Sequence, residues 1–306
     1  MKKVVVTGAL GFIGFALCQR LLERGIEVVG IDGMVDDRLK ELHEEKLLWI
    51  GRNSSFTFIN KKIEDIDLRT IFMDIDVVYH LAAATSRDRN WGVLRSTIED
   101  NVGVTGKMIS ACANKTKFIF TSSTQVYGER TGIITEKTPL NPITPYSLTK
   151  MAAESLIQSQ CIKSSVPFVI FRLPTIYGPW QRGDMTYSQL IMKQMSGLEK
   201  TIDSDRVTED VLYIDDILDT LVNAGMKEAC CNEVFNLATG KINQWHRGKA
   251  IICNDFSIIP KDERLQVSIN NEKVITQLGF SHITTLEEGI EAQKEHMTKY
   301  KHLYVK

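Results

Sequence analysis

The chain has almost no net charge: 37 lysines and arginines stand against 38 aspartates and glutamates in 306 residues, a balance of -1. It therefore offers no global field to a nucleic acid or an anionic membrane, and neither is expected as a partner; an acidic ligand must be met by a local site. No apolar run approaches the roughly 20 residues that span a bilayer. Met1-Lys2-Lys3 runs directly into Val4-Val5-Val6 without the apolar region and small-residue cleavage site of a signal peptide. The six cysteines, at 18, 112, 161, 230, 231 and 253, form no Cys-x-x-Cys pair and have no histidine at metal-ligand spacing. Free thiols in a cytoplasmic, reducing compartment are expected, and no metal site. Internal repeats, low-complexity tracts and Gly/Ser linkers are also missing, so a second region is expected to be lobed onto the first rather than tethered to it.

What is present is ordinary globular composition, 43% hydrophobic, 25% charged and 8% aromatic, enough for a sizeable core. Up to about residue 178, short apolar runs alternate with longer amphipathic stretches. The runs are Val4 to Thr7, Glu27 to Ile31, Phe56 to Ile59, Val77 to His80, Phe118 to Thr121 and Phe168 to Phe171. They read as buried parallel strands, and the stretches Phe12 to Arg24, Thr97 to Ala113 and Ser147 to Lys163 read as helices between them. That rhythm predicts an α/β fold, a Rossmann-like doubly wound parallel sheet over residues 1–178. A smaller α/β substrate-binding lobe is expected over 179–306, with some segments free to return to the sheet. Its elements read as helices at Asp184 to Met195, Ile214 to Met226 and Leu286 to Met297 and a strand at Val234 to Leu237. Lys241 to Phe256 has no clear periodicity, and Trp245-His246 within it reads as buried packing or a site.

Thr7-Gly8-Ala9-Leu10-Gly11-Phe12-Ile13-Gly14 directly follows the first strand and opens the first helix. Glycines at 8, 11 and 14 let the chain turn tightly, bring backbone N–H groups against a pyrophosphate and pack the helix close to the sheet. Gly8, Gly11, Phe12, Ile13 and Gly14 are thus the expected phosphate cradle. Asp32 ends the second strand, about 20 residues on, where a carboxylate accepts from both ribose hydroxyls and repels a 2′-phosphate. NAD is therefore expected rather than NADP.

Tyr146 and Lys150 are four residues apart at the start of a helix, so they share a face. A tyrosine at its ordinary pKa of about 10 is a poor base. An ammonium one turn away, helped by the positive charge of oxidised nicotinamide, favours the phenolate. Ser123, ending the fifth strand, supplies a hydroxyl to orient a substrate oxygen. By itself Tyr-x-x-x-Lys is a common surface pair; the glycine loop and Ser123 give it a catalytic reading.

The three-glycine spacing resembles the extended short-chain dehydrogenase/reductase family, the NAD-dependent epimerases and dehydratases. So do His80-Leu81-Ala82-Ala83 after the fourth strand, Asn101 in its helix, Ser122-Ser123 before Val126-Tyr127-Gly128, and Tyr177-Gly178-Pro179. Tyr213-Ile214-Asp215-Asp216, Phe235-Asn236-Leu237 and Leu278-Gly279-Phe280 extend the likeness. The resemblance implies that Leu81, Ala82 and Ala83 line the cofactor and that Lys150 donates to the nicotinamide ribose. At the adenine pocket the family's Asp-Ile or Asp-Leu is here Lys62-Ile63, which leaves recognition to the Ile63 backbone. The helices at Thr97 to Ala113 and Ser147 to Lys163 are those that related enzymes use to form a homodimer. Met108, Met151, Leu156 and Ile157 on them are open to either core or interface.

Within that family, dehydratases place an acid and a glutamate after the catalytic Ser/Thr, and decarboxylating relatives keep the glutamate. Here Thr124 and Gln125 stand there, neither an acid nor a base near neutral pH. Oxidation followed by return of the hydride remains, which is 4-epimerisation, or else net reduction of a 4-keto sugar. Thr175-Ile176-Tyr177-Gly178-Pro179-Trp180-Gln181-Arg182-Gly183-Asp184-Met185 resembles the matching run of UDP-glucuronate 4-epimerases. By that likeness Ser123, Thr124, Gln125, Thr175 and Arg182 form the sugar and carboxylate pocket, a guanidinium fork suiting the anion. The expected substrate is a UDP-sugar, UDP-glucuronate or UDP-galacturonate. The family's diphosphate-binding arginine is replaced by Glu209, so Arg206 or Arg264 takes its part, and a Gly-Val-Arg run is here Ser86-Arg87-Asp88. Two rivals stay open: an NAD(P)H-dependent reductase of a nucleotide-linked 4-keto-6-deoxy sugar using the same triad, and a silent dinucleotide-binding protein.

Overall fold

The computed structural model describes residues 1–34, 36–85, 91–197, 210–260 and 267–304. Arg206, Glu209, Arg264 and Ser86-Arg87-Asp88 lie outside the described residues. The strands are β1 (Lys3–Thr7), β2 (Glu27–Asp32), β3 (Phe56–Asn60), β4 (Val77–His80), β5 (Lys117–Ser123), β6 (Gly132–Ile134), β7 (Phe168–Leu173), β8 (Thr175–Tyr177), β9 (Val211–Tyr213), β10 (Glu233–Asn236) and β11 (Val267–Ile269). The helices are α1 (Phe12–Glu23), α2 (Lys40–Ile50), α3 (Leu68–Phe72), α4 (Leu94–Ile98), α5 (Val104–Ala111), α6 (Pro145–Ser164), α7 (Thr186–Met195), α8 (Ile214–Met226), α9 (Gln244–Cys253), α10 (Glu272–Leu278) and α11 (Leu286–Lys299).

Seven strands form one parallel sheet in the order β10-β7-β5-β4-β1-β2-β3. The chain runs outward from β1 to β3 on one side and from β4 to β10 on the other, so the order reverses between β1 and β4. Successive residues of a strand face opposite sides, and β1 divides accordingly. Val4 and Val6 join Phe15, Leu17 and Leu21 of α1 and Leu218, Leu221 and Val222 of α8 in one core. Val5 joins Phe72 of α3, Met108 and Ile109 of α5 and Ile157 of α6 in the other. Both faces are covered, which is why the strands read as continuous apolar runs rather than alternating ones. Met108 and Ile157 are thereby core, while Met151 and Leu156 are half-buried.

Several helices depart from the expected bounds: α7 begins at Thr186, two residues late, α11 runs on to Lys299, and two others differ in ways that bear on the site. The stretch from Thr97 to Ala113 is interrupted by a π-helical turn at Glu99–Gly103 and ends at Ala111. Inside that turn the Asn101 side chain leaves the helix surface: Nδ2 donates to Thr149 Oγ1 at 3.0 Å, and Oδ1 accepts from the Ala84 amide at 2.8 Å. Such bulges concentrate at functional sites. Helix α6 begins at Pro145, two residues early, because Thr144 caps it in a reciprocal box with Ser147 and proline suits the first helical position. Tyr146 therefore sits in the first turn.

The remaining elements pair and pack among themselves, and most share a core with the main sheet. Paired β8 and β9, and β6 and β11, make two small parallel sheets, and α7, α9 and α11 pack together. The unassigned stretch from Lys241 contains α9. Trp245 is fully buried on it, 6.4 Å from the Tyr187 ring, and the Tyr187 hydroxyl donates to the Trp245 carbonyl at 2.9 Å. It is core. From the second half of the chain, β10 adds to the edge of the main sheet and α8 packs on α1.

Candidate active site

In an open parallel sheet the ligand crevice lies at the carboxyl ends of the strands where their order reverses. Here that point lies between β1 and β4. Gly8 takes the left-handed φ of +68°, its amide donates to Ile31 O at 2.9 Å, and a Cβ there would stand 3.0 Å from the Ala82 nitrogen. Side chains at Gly11 and Gly14 would both press on the Gly8 carbonyl. The backbone cradle thus closes only with glycine at all three positions, the shape a pyrophosphate needs. Phe12 and Ile13 open α1 and pack on the core beside it.

Asp32 closes the other side. Its two oxygens accept from the Leu10 and Met34 amides, each at 3.1 Å, which holds the carboxylate beside the glycine turn. Glycine cradle and fixed strand-end carboxylate together fit an adenosine dinucleotide without a 2′-phosphate. Ile63 begins a short turn at Ile63–Asp65 whose Glu64 carbonyl accepts from Lys107 of α5. Leu81 to Ala83 extend β4, and the Ala82 amide donates to Thr7 Oγ1 at 3.2 Å. The Thr7 hydroxyl meets His80 Nδ1 at 2.8 Å, and His80 Nε2 meets the Thr105 hydroxyl at 3.1 Å, tying β1, β4 and α5 together. Burial pushes His80 down to about 3, with the Lys150 charge acting in the same direction, so His80 serves as a neutral strut.

Across the crevice, α6 brings Tyr146 and Lys150 beside the end of β5. Lys150 Nζ is buried, donates to the Thr121 carbonyl at 2.8 Å, and lies 4.6 Å from the Phe120 ring centre and 5.8 Å from that of Tyr146. Burial draws its pKa down to about 7, while the carboxylate of Glu154 pulls upward. Tyr146 is pushed up to about 12 by burial. In the protein without a ligand, Tyr146 is accordingly a phenol. Ser123 caps the following turn, its hydroxyl oxygen accepting from the Gln125 amide at 3.2 Å.

The expected substrate residues are placed unequally. Gln125 and Thr175 are half-buried beside this turn and at the start of β8. Thr124 is fully buried and its hydroxyl donates to Leu173 O at 3.4 Å. Arg182 is engaged on three sides: Nε and Nη2 donate to the two oxygens of Asp184 at 3.0 and 2.6 Å, and Nη1 to the Thr85 hydroxyl at 3.3 Å. It bridges the loop after Pro179 to the end of β4.

One residue of the crevice went unread in the sequence. Lys46 of α2 is almost wholly buried, donates to the Leu10 carbonyl at 3.0 Å and stands 5.7 Å from the Phe15 ring centre. Burial lowers its pKa to about 7 against the pull of Asp32. The signal was the spacing Leu42, Lys46, Ile50, which puts a lysine in the inward stripe of α2.

Residues 4–238 match the NAD dependent epimerase/dehydratase family, and with this fold and site the chain belongs to that family and is an enzyme of it. It is 32% identical over 240 residues, 77% of this chain and 76% of the other, to an uncharacterised UDP-glucose epimerase of Bacillus subtilis. A probable UDP-glucuronate 4-epimerase of Rhizobium meliloti is 30% identical over 233 residues, 72% and 67% of the two chains. The crystal structure of UDP-glucuronic acid 4-epimerase from Bacillus cereus, in complex with UDP-glucuronic acid and NAD, superposes with a TM-score of 0.86 at 33% identity over 97% and 99% of the two chains.

Proposed function

We propose that the protein is an NAD-dependent nucleotide-sugar 4-epimerase that interconverts UDP-glucuronate and UDP-galacturonate. Thr124 and Gln125 beside Ser123 carry this reading, because they leave the triad without the acid and glutamate that elimination requires. The run from Thr175 to Met185 and the similarity to UDP-glucuronate 4-epimerases support the hexuronate; Arg182 would have to exchange Asp184 for the sugar carboxylate.

The cradle of Gly8, Gly11 and Gly14, with Asp32 at the ribose and the Leu81–Ala83 and Ile63 backbones, would hold NAD. When bound, NAD supplies a hydride acceptor for sugar carbon 4 and returns the hydride to the opposite face. Ser123 donates to the 4-oxygen and orients it. Tyr146, as the phenolate, takes the 4-hydroxyl proton, and Lys150 stabilises that phenolate before the transfer and again once the proton has been returned. The keto sugar turns about its diphosphate link, and Tyr146 returns the proton. No net redox follows, so a closed site that retains the keto sugar is needed.

Residues 179–306, apart from α8 and β10, would form the substrate lobe, with Arg206 or Arg264 at the diphosphate. A homodimer through the stretch from Thr97 to Ala113, which includes α5, and α6 is proposed on the family resemblance, and sedimentation of the purified protein reads it directly. No described helix is long and apolar enough to cross a membrane, and the cytoplasm is the proposed location.

Incubation with UDP-glucuronate without added reductant, followed by proton NMR, tests the activity. UDP-galacturonate should appear at a fixed final ratio and vanish in Tyr146→Phe. If no epimer forms and the protein is isolated without NAD, the 4-keto reductase takes its place.

A further inference from the structure

Arg172 interrupts the apolar run of β7 and is 4% exposed. A buried guanidinium is tolerated only when its donors are met, and these are. Nε and Nη2 donate to the Glu154 carboxylate at 3.2 and 2.7 Å. Nη1 donates to the Tyr127 hydroxyl at 2.8 Å and to the Glu136 carbonyl at 3.2 Å. The Tyr127 hydroxyl passes the chain on to Asn236 Oδ1 at 2.6 Å, and the Asn236 backbone N–H donates to Glu136 Oε1 at 2.9 Å. One side chain thus joins β7, β10, α6, the turn behind Ser123 and the turn at Glu136.

Glu154 follows Lys150 by four residues, as Lys150 follows Tyr146, so the three form a ladder on one face of α6. Helical rise puts Glu154 about 6 Å along the axis from Lys150 and about 12 Å from Tyr146. Its carboxylate therefore acts more strongly on the lysine than on the phenol. Among the described residues, the titratable groups facing Lys150 are Tyr146 and Glu154 of α6 and the neutral His80 of β4; β5 offers only the Thr121 carbonyl and the Phe120 ring.

We propose that the buried Arg172–Glu154 pair is a positioning unit for the acid–base pair, fixing α6 against the sheet and holding the proton on Lys150 so that Tyr146 ionises near neutral pH. The inference rests on the reading of Tyr146 and Lys150 given above. Arg172 provides the anchor, and Glu154 carries the charge to the reacting end.

The test follows the Tyr146 phenolate by ultraviolet difference absorbance against Tyr146→Phe, in NAD-loaded protein without sugar, across pH. In Glu154→Gln the midpoint should rise by about one pH unit, the size of one charge acting at this separation through a partly screened interior. Glu154→Asp, which keeps the charge, should restore the parent midpoint. Should Glu154→Gln not fold with Arg172 left unpaired, Glu154→Gln/Arg172→Gln removes both charges and should move the midpoint in the same direction by a smaller amount, the loss of the guanidinium partly offsetting that of the carboxylate. A purely structural pair would lower the melting temperature of these variants with the midpoint unmoved, which overturns the proposal, as does a fall. A parent midpoint that stays at the buried value removes the acid–base pair and the inference with it. The titration uses no sugar, so failure to turn over UDP-glucuronate leaves its result standing.

Discussion

Asp32→Ala removes the carboxylate that holds the glycine turn and that would receive the adenosine ribose. In the structure its oxygens already order the Leu10 and Met34 amides, so the alanine variant loosens the cradle as well as losing the acceptor. Each hydrogen bond to a charged group is worth about 1.5–3 kcal/mol. Two ribose hydroxyls at a half-buried carboxylate, discounted for solvent, come to about 2–4 kcal/mol of NAD binding, a loss of roughly 30- to 1000-fold. NADP should move the other way relative to NAD. In the parent the carboxylate repels a 2′-phosphate, and the variant lacks that repulsion. Isothermal titration of cofactor-stripped parent and variant with NAD and NADP measures both effects. An NAD affinity within threefold of the parent, or a parent that binds NADP as tightly as NAD, would refute the placement of Asp32 at the ribose.

Two further predictions concern substrate and stability. Arg182→Met should raise KM for UDP-glucuronate about tenfold, one charge-assisted contact at a partly exposed site, and leave binding of UDP-glucose unchanged; equal losses for both sugars would separate the guanidinium from the carboxylate. Asp210, 4% exposed, is raised by burial from 3.8 to about 6 despite accepting from Thr239 and Val211. Its folded form holds the proton more tightly than its unfolded form, so its contribution is fully present below the unfolded value and is lost as pH rises through the folded one. Chemical denaturation should show Asp210→Asn gaining on the parent between pH 4 and 7 by up to about 3 kcal/mol, and a difference flat with pH would exclude a buried titrating carboxylate there.

The main sheet could be read from the sequence because its signals are local. Val4-Val5-Val6 is apolar throughout because both of its faces are covered, and Gly8 to Gly14 show their purpose by following that strand at once. Asp32, Ser123, Tyr146 and Lys150 each stand at the end of a strand or the start of a helix, where spacing alone gives direction. What escaped depends on contacts across the chain. The π-helical turn around Asn101 exists to send one side chain to Ala84 and Thr149, and no periodicity between Thr97 and Ala113 encodes those partners. Trp245 reads as ambiguous until Tyr187, far away in sequence, is placed beside it.

The groups that set the chemistry are the least legible of all, for a physical reason. Lys46, Glu154 and Arg172 act through charge held in a low-dielectric interior, and burial, which sequence reports only indirectly, decides how strong that charge is. Yet two of them leave a trace: a lysine in the inward stripe of α2, and an arginine within Phe-Val-Ile-Phe-Arg-Leu. A charge inside an otherwise apolar run costs too much to persist unless a partner meets it, so the run itself implies a partner on the neighbouring element. For β7 that element is α6, and the partner lies one helical turn from the residue that must keep its proton. Reading the interrupted strand first therefore leads to the catalytic helix from the opposite direction to Tyr-x-x-x-Lys, and the two routes meet at Lys150.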